Sequence, residues 1–393
     1  MSNAESALQS DLPADANPAG RRIDSDQSIP ETGGILTVDL AAVVSNWQDL
    51  GRRATPSECA AVIKADGYGC GIEPVAHALT VAGCRTFFVA DLAEARRVRA
   101  VASEAAIYVL NGLLPGTTHS FANIRARPVI GSMVELAEWD AFCLANHWRG
   151  GAALHVDTGM NRLGITFDEA SALAPRLRAE NHEITLLMSH FACAEQPDHP
   201  LNEHQMKLFR EVRLLYRGIP ASLANSSGIF LGNAAHCDMV RPGAALFGVN
   251  PTPGYRNPMR PVIGLHARVV QVRTVPKGET VGYNATWTAR HPSRIAIVAV
   301  GYADGYPRAA SATDAAPGAE TIIGGVRCPL AGRVSMDLLA IDVTALPNPV
   351  RRGDLVTLIG AEFGVDALAA AAGTIGYEIL TSLGRRYLRA YRQ

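Results

Sequence analysis

Long apolar runs are missing from this sequence, and so is any surplus of charge of one sign. No uninterrupted hydrophobic stretch approaches the roughly 20 residues that a membrane-spanning helix needs, so no membrane partner is expected. The 36 Lys and Arg are offset by 37 Asp and Glu, a net charge of −1, and no global field draws the chain to nucleic acid or to an anionic bilayer. Cysteine is scattered and odd in number: Cys59, Cys70, Cys84, Cys143, Cys193, Cys237 and Cys328 contain no C-x-x-C pair. Neither a disulfide framework nor a zinc cluster is indicated, no metal is expected, and a reducing, cytoplasmic compartment fits. Residues 1–34 lack the apolar core of a signal peptide; they are polar, rich in Pro, Ser and Asp, and read as a flexible leader.

What is present is a beat. The chain of 393 residues is too long for one ordinary core and comfortable for two domains. From residue 35 to 262, short apolar runs such as Ala61-Val62-Ile63, Thr86-Phe87-Phe88-Val89 and Ile184-Thr185-Leu186-Leu187-Met188 alternate with helical patterns. These strands are apolar nearly throughout, as strands covered on both faces are. About eight strands in about 230 residues is the length of a (β/α)8 TIM-type barrel, with a doubly wound sheet as the competing arrangement. From residue 263 the texture changes to β-type runs, among them Ala267–Val272, Ile295–Val300, Leu339–Val343 and Leu355–Ile359, separated by Gly and Pro turns without helices between them. That predicts a mostly antiparallel β domain over 263–393, finished by an Ala-rich helix over Val365–Ala372 and a short tail.

In a barrel of this kind functional groups gather at the C-terminal ends of the strands, so polar residues that close an apolar run are the candidates: Lys64, Arg162, His190, Ser226 and Arg241. A lysine at the mouth of an apolar strand is partly desolvated, which lowers its pKa and favours a nucleophilic neutral amine; a lysine snorkelling off a strand end is the plainer reading. Ser226 in Ala224-Asn225-Ser226-Ser227-Gly228 and Arg241 in Val240-Arg241-Pro242-Gly243 sit in glycine-bearing loops after the last two expected strands. Barrel enzymes commonly bind a phosphate there, although such loops are also simple turns. Taken together, a strand-end lysine, a late phosphate-type loop and an adjacent arginine suggest a phosphorylated aldehyde held as a Schiff base.

The residues around these candidates carry a resemblance. Ala61-Val62-Ile63-Lys64-Ala65-Asp66-Gly67-Tyr68-Gly69 resembles the pyridoxal-phosphate attachment motif of alanine racemases. His155-Val156-Asp157-Thr158-Gly159-Met160-Asn161-Arg162-Leu163-Gly164, Ser189-His190-Phe191-Ala192, Val281-Gly282-Tyr283-Asn284, Gly301-Tyr302-Ala303-Asp304, Gly332-Arg333-Val334-Ser335-Met336-Asp337 and Gly376-Tyr377-Glu378 follow in that family's order. The likeness runs from about Ile35 to Arg389.

The resemblance implies interconversion of L- and D-alanine through an external aldimine of pyridoxal 5′-phosphate, by two bases. Lys64 would carry the cofactor and serve one face of the substrate. Tyr283, delivered by the second subunit of a homodimer, would serve the other, with His190 linking it to Arg241. Arg241 would face the pyridine nitrogen, while Ser226, Gly243, Tyr68 and Tyr377 would hold the phosphate. Arg162 and Met336 match the substrate carboxylate site; Tyr302, Arg308 and Arg333 match the entry corridor. Met336 packed in a β core, Tyr302 and Tyr377 as interface aromatics, and His190 as a buried structural histidine are the bland readings of the same residues.

One position departs from the family: His155 stands where many members have a lysine, often carbamylated. Arg162 must then be oriented by Asp157, by an anion from solvent or by His155 itself. A related racemase acting on serine or lysine, or a non-catalytic pyridoxal-phosphate-binding protein, remains the alternative reading. Whether D-alanine is supplied as a cell wall precursor or degraded stays open.

Overall fold

Most barrel strands are short, largely apolar runs too brief to fold alone, and most pair with the strand that follows next in the chain. The computed structural model describes residues 31–180 and 183–393, apart from the side chains of residues 177–180. The expected leader over residues 1–34 therefore falls for the most part, residues 1–30, outside the described residues.

The first strand, β1 (Gly34–Asp39), leads into a helix over Leu40–Ala54 that Asp39 caps by accepting from the Ala42 amide. The barrel strands follow: β2 (Glu58–Cys59), β3 (Ala61–Val62), β4 (Thr86–Val89), β5 (Ala106–Val109), β6 (Ala126–Ile130), β7 (Ala152–His155), β8 (Ile184–Met188), β9 (Ala221–Ser222) and β10 (Met239–Val240). All pair in parallel in chain order from β3 to β10, and β10 returns to β2. Strands β2 and β3 are two stretches of one extended run, since the Ala60 and Val62 amides both donate to the β10 side, at Val240 and Pro242. The nine short strands thus close as eight, a parallel barrel.

Side chains facing inward, among them Phe88, Tyr108, Val129, Leu186 and Met188, fill the barrel axis as one apolar cluster. Phe88 and Tyr108 stack at 5.0 Å between centroids. This packing makes the interior a solid plug and leaves only the C-terminal mouth for chemistry.

The second region is built on one long strand. β11 (Ile263–Val275) pairs antiparallel with β1 and β16 (Leu355–Ile359) through its first half and with β12 (Ser293–Val298) through its second. A bulge between Val269 and Gln271 marks the change of partner. β13 (Glu320–Ile323), β14 (Val326–Pro329), β15 (Leu339–Asp342) and β17 (Leu388–Arg392) complete the strands. Only the β1–β17 pair is parallel in this region.

The described elements refine one expectation. β1, placed at the start of the barrel region by its position in the chain, hydrogen-bonds to β11 and β17 instead. Its burial alternates, with Leu36 and Val38 buried and Ile35 and Thr37 half-buried, the pattern of a sheet with unlike faces rather than of a barrel strand covered on both sides.

The loop after β3 is the structurally unusual part. Ala65, Asp66, Gly67 and Tyr68 have φ of 55°, 56°, 63° and 50°, one turn of left-handed helix. Non-glycine residues in that conformation cost about 1–2 kcal/mol each, so the surroundings must hold them there. Gly69 ends the turn at φ +76°, and a Cβ on it would lie 2.2 Å from the Leu380 carbonyl oxygen. This close approach docks the turn against the helix Gly376–Ser382, while Arg389 donates to the Gly69 carbonyl.

Gly69→Ala is expected to lower unfolding free energy by about 2–4 kcal/mol, from backbone strain and the clash together. Urea unfolding followed by circular dichroism reads this directly; a midpoint equal to that of the native protein would show that the Leu380 helix yields freely.

Candidate active site

At the barrel mouth, the strand ends place Lys64, Tyr68, His155, Arg162, His190, Ser226, Arg241, Gly243 and Tyr377 around one cavity of about 700 Å³. Nine residues far apart in sequence are brought together because each stands at or just past the C-terminal end of a parallel strand, or on the docked helix carrying Tyr377.

Arg241 follows β10 directly and is 3% exposed. Its Nη2 donates to the Ser189 carbonyl at 2.6 Å and its Nη1 to the Ser222 hydroxyl. The guanidinium also stands 5.8 Å over the Phe88 ring, whose negative face favours a cation. No carboxylate pairs with it among the described residues. Burial lowers its pKa to about 10, and it stays charged at neutral pH.

That charge sets the state of its neighbours. Arg241 Nη2 lies 3.4 Å from His190 Nδ1. An arginine has no acceptor, so Nδ1 takes the hydrogen bond and the proton of the neutral ring resides on Nε2. Burial first, then the Arg241 charge, hold His190 well below the usual histidine range. The Gln205 side chain fixes this loop by donating to the His190 carbonyl at 2.8 Å and accepting from the Ala192 amide at 2.9 Å.

Lys64 is half-buried, and burial, with Arg162 second, pushes its ammonium pKa down while Glu94 pulls it back. The neutral amine is therefore more accessible than on a surface lysine. Beside it, the Ser226 hydroxyl accepts from the Gly243 amide at 3.0 Å and the Ala245 amide at 3.2 Å. Its own O–H remains available to donate into the cavity. The Tyr68 ring stacks on Phe247 at 4.9 Å, and its hydroxyl has no hydrogen-bond partner among the described residues although the side chain is buried. A Cβ on Gly243 would stand 2.4 Å from that hydroxyl, so glycine is required for Tyr68 to reach in.

These observations suit a phosphate. An unpartnered hydroxyl carried into the cavity by a buried ring, a serine O–H free to donate and a side-chain-free backbone form a donor-rich cup on the same cavity as a depressed lysine. Pyridoxal phosphate, whose aldehyde reacts with a neutral amine and whose phosphate needs such donors, fits the set.

Not every expected residue is in place for the expected partner. Tyr377 lines the cavity, but its hydroxyl donates to Glu195 at 2.8 Å. Arg162 also lines the cavity and makes no hydrogen bond or ion pair among the described residues. Asp157, one of the groups offered as its support, is committed elsewhere: the carboxylate accepts from the Gly159, Met160 and Asn161 amides, each at 2.9 Å. His155 is buried, and burial with the Arg241 charge lowers its pKa to about 4, so it carries no charge to offer at neutral pH.

Tyr283, Tyr302, Arg308, Arg333 and Met336 do not line this cavity. They gather on a separate surface of the β region, where the Tyr302 amide donates to the Ser335 carbonyl and the Ala303 amide to the Met336 carbonyl. Tyr283 is 67% exposed, Met336 53% and Tyr302 40%. Met336 is therefore not core packing. Exposed apolar and aromatic side chains on one patch mark a surface meant to be covered.

Sequence reasoning passed over Gln205, Glu94 and Glu195. Nothing local distinguishes a glutamine or glutamate within a helical pattern or a loop; the partners each takes exist only after folding. A glutamate three residues after Asp91 does carry the signature of a helix start, and Asp91 caps the helix Leu92–Val101 by accepting from the Glu94 amide.

Comparison with known proteins agrees with this architecture. The chain matches the family model for the alanine racemase N-terminal domain over residues 38–251 and that for the C-terminal domain over residues 262–391. The alanine racemase of Methylobacterium nodulans is 55% identical over 360 residues, covering 91% of this chain and 96% of that one. Among solved structures, alanine racemase from Bartonella henselae with covalently bound pyridoxal phosphate superimposes with a TM-score of 0.87 at 37% identity, covering 92% of this chain and all of that chain. The biosynthetic alanine racemase of Pseudomonas aeruginosa gives 0.85 at 39% identity over the same share of this chain.

The depressed histidine at the mouth predicts a pH dependence. His155 titrates near 6.5 when unfolded and near 4 when folded, so between those values the unfolded chain binds the extra proton. Its contribution to stability is present above pH 6.5 and lost as pH falls toward 4. His155→Gln, which removes the titration, should flatten the acid side of a plot of urea midpoint against pH. An unaltered slope would show that His155 titrates as it does in the open chain.

Proposed function

Because the chain belongs to the alanine racemase family, we propose that its barrel mouth interconverts L- and D-alanine with pyridoxal 5′-phosphate held at Lys64, using Lys64 and the partner subunit's Tyr283 as opposed bases. The observation that carries this reading is the pairing of a depressed lysine with a buried arginine that has no acid partner, in one donor-lined cavity.

Bound pyridoxal phosphate supplies an electron sink conjugated to the substrate Cα, which makes loss of the Cα proton feasible. The protein does the rest. Ser226, Tyr68 and the Gly243 backbone would hold the phosphate, and Tyr377 would join them by exchanging its hydrogen bond to Glu195. Arg241 would face the pyridine nitrogen and leave it unprotonated, because a guanidinium gives up no proton and accepts none. A nitrogen left neutral draws less charge into the ring, which restrains competing transamination and decarboxylation. Burial makes the Lys64 amine a competent base on its face of the Cα. Arg162 receives the substrate carboxylate, joined, on the same twofold reading as Tyr283, by the partner subunit's Met336.

Racemisation needs a second group on the opposite face. Tyr283 is 67% exposed and lies outside the cavity of its own chain, which supports its delivery to a second copy in a twofold homodimer. A tyrosine, pKa near roughly 10, needs help to act as a base. His190, with Nδ1 held by Arg241 and its proton on Nε2, offers that hydrogen bond and so favours the ionised phenol. Tyr302, Arg308 and Arg333, on the same surface as Tyr283, would line the entry to the composite site. Among the described residues no helix is long and apolar enough to cross a membrane, and all seven cysteines are free thiols; both features accord with a reducing cytoplasm.

Two variants separate the bases. Lys64→Ala is expected to lose the absorbance band that borohydride removes and to lose interconversion by about 10²–10⁴-fold or more. Tyr283→Phe is expected to lose interconversion comparably, yet still to exchange the Cα proton of one enantiomer for solvent deuterium without inverting it. Chiral chromatography with mass detection in D₂O distinguishes the outcomes. Full interconversion by Tyr283→Phe would remove the two-base assignment.

A further inference from the structure

The left-handed turn after Lys64 poses a question that the assigned roles leave unanswered. Three of its residues, Ala65, Asp66 and Tyr68, are not glycine, yet all sit at φ near +50° to +56°. Conformations this costly persist where neighbouring groups over-determine them, and they cluster at functional sites. The turn also has a visible product. Lys64 and Tyr68, one turn apart, both point into the same cavity, so the amine and the buried phenol are set by a single piece of backbone.

What holds the turn is a carboxylate. Glu94 Oε1 accepts from the Asp66 amide at 2.9 Å, and Oε2 accepts from the Ala90 amide at 2.8 Å. One side chain thereby ties the turn to the end of β4, the strand that pairs with β3. Glu94 is itself fixed, because its own amide donates to the cap residue Asp91 at 2.9 Å. A second clasp closes the far side. The Asp66 carboxylate accepts from the Ile72 amide at 3.1 Å and pairs with Arg97 at 2.6 Å, and Arg97 grips Glu73 with two nitrogens, at 2.5 and 2.6 Å. The Glu94 charge also reaches the Lys64 ammonium, opposing the effect of burial.

We propose that Glu94 is a positioning residue for Lys64 and Tyr68, a two-point clamp that keeps the strained turn closed so that amine and phenol face the cofactor together. The inference rests on the proposed cofactor site, and it adds a residue outside the cavity whose loss disorders that site. Both of its contacts are backbone N–H donors, so the clamp requires two acceptor oxygens. Glutamine supplies one and alanine none. The graded series Glu, Gln, Ala therefore reads the clamp with little change of shape at the first step.

Two measurements test it. Hydrogen exchange in the protein freed of cofactor reports the turn without catalysis: the Asp66 and Ala90 amides should exchange about tenfold faster or more in Glu94→Ala, with Glu94→Gln between, as expected for loss of hydrogen bonds to a charged acceptor. In the holoenzyme, kcat for L-alanine should fall about tenfold in Glu94→Gln and further in Glu94→Ala, with KM for alanine within about twofold, since each such bond carries a factor of that order. Unchanged exchange at Asp66 in Glu94→Gln and Glu94→Ala would overturn the clamp whatever the kinetics. Faster exchange with native kcat would overturn its role in positioning. Should Lys64 fail to take up pyridoxal phosphate in the native protein, the site reading fails, while the exchange result still stands or falls by itself.

Discussion

Burial of the Arg241 guanidinium without an acid partner is the constraint around which the barrel mouth is arranged. A cation in an apolar interior is costly unless its donors are used, and here a carbonyl, a hydroxyl, an imidazole nitrogen and an aromatic face absorb it. Those partners come from β8, β9 and the packed interior, so the arginine stitches together the ends of consecutive strands. Its charge then acts outward, second only to burial in keeping His190 and His155 neutral. Had an aspartate stood nearby, the arginine would be neutralised and the ring nitrogen of a bound cofactor would meet a different field.

On the proposed reading, the site around this fixed charge has parts that one chain completes and a part that a second copy supplies. The phosphate cup and the lysine are assembled by the barrel itself, through the left-handed turn and the loops after β9 and β10. Tyr283, Tyr302 and Met336 stand exposed on the β region, outside that cavity. The proposed reaction needs bases on opposite faces of one carbon, and a base carried by a second copy reaches the far face without a loop of the same barrel having to cross the cavity.

The position of His155 shows how a local substitution is accommodated. A lysine converted to a carbamate would carry negative charge into the mouth; a buried neutral imidazole carries none. Asp157 does not compensate, since three backbone amides already occupy it. Arg162 stands at the cavity wall with its donors uncommitted among the described residues, the condition that its proposed role toward an anionic group requires.

Much of this was legible in the chain before folding. Apolar runs alternating with helical patterns predicted the barrel, because strands buried on both faces need such runs and the crossover needs a helix between them. Lys64, Ser226 and Arg241 were legible because each is a polar residue ending an apolar strand, and a parallel barrel collects such ends at one mouth. Tertiary structure decided what depends on distance across the chain. β1 joined β11 and β17, as its alternating face required, and Tyr377 turned to Glu195. Glu94 closed on Asp66. No local pattern encodes these, because a hydrogen bond between residues dozens or hundreds of positions apart is selected by the packed fold and not by the composition of either segment. Sequence determined which residues could do the chemistry, since residue type and place on a strand are local properties; only the fold decided which of them meet, because that depends on how the strands close.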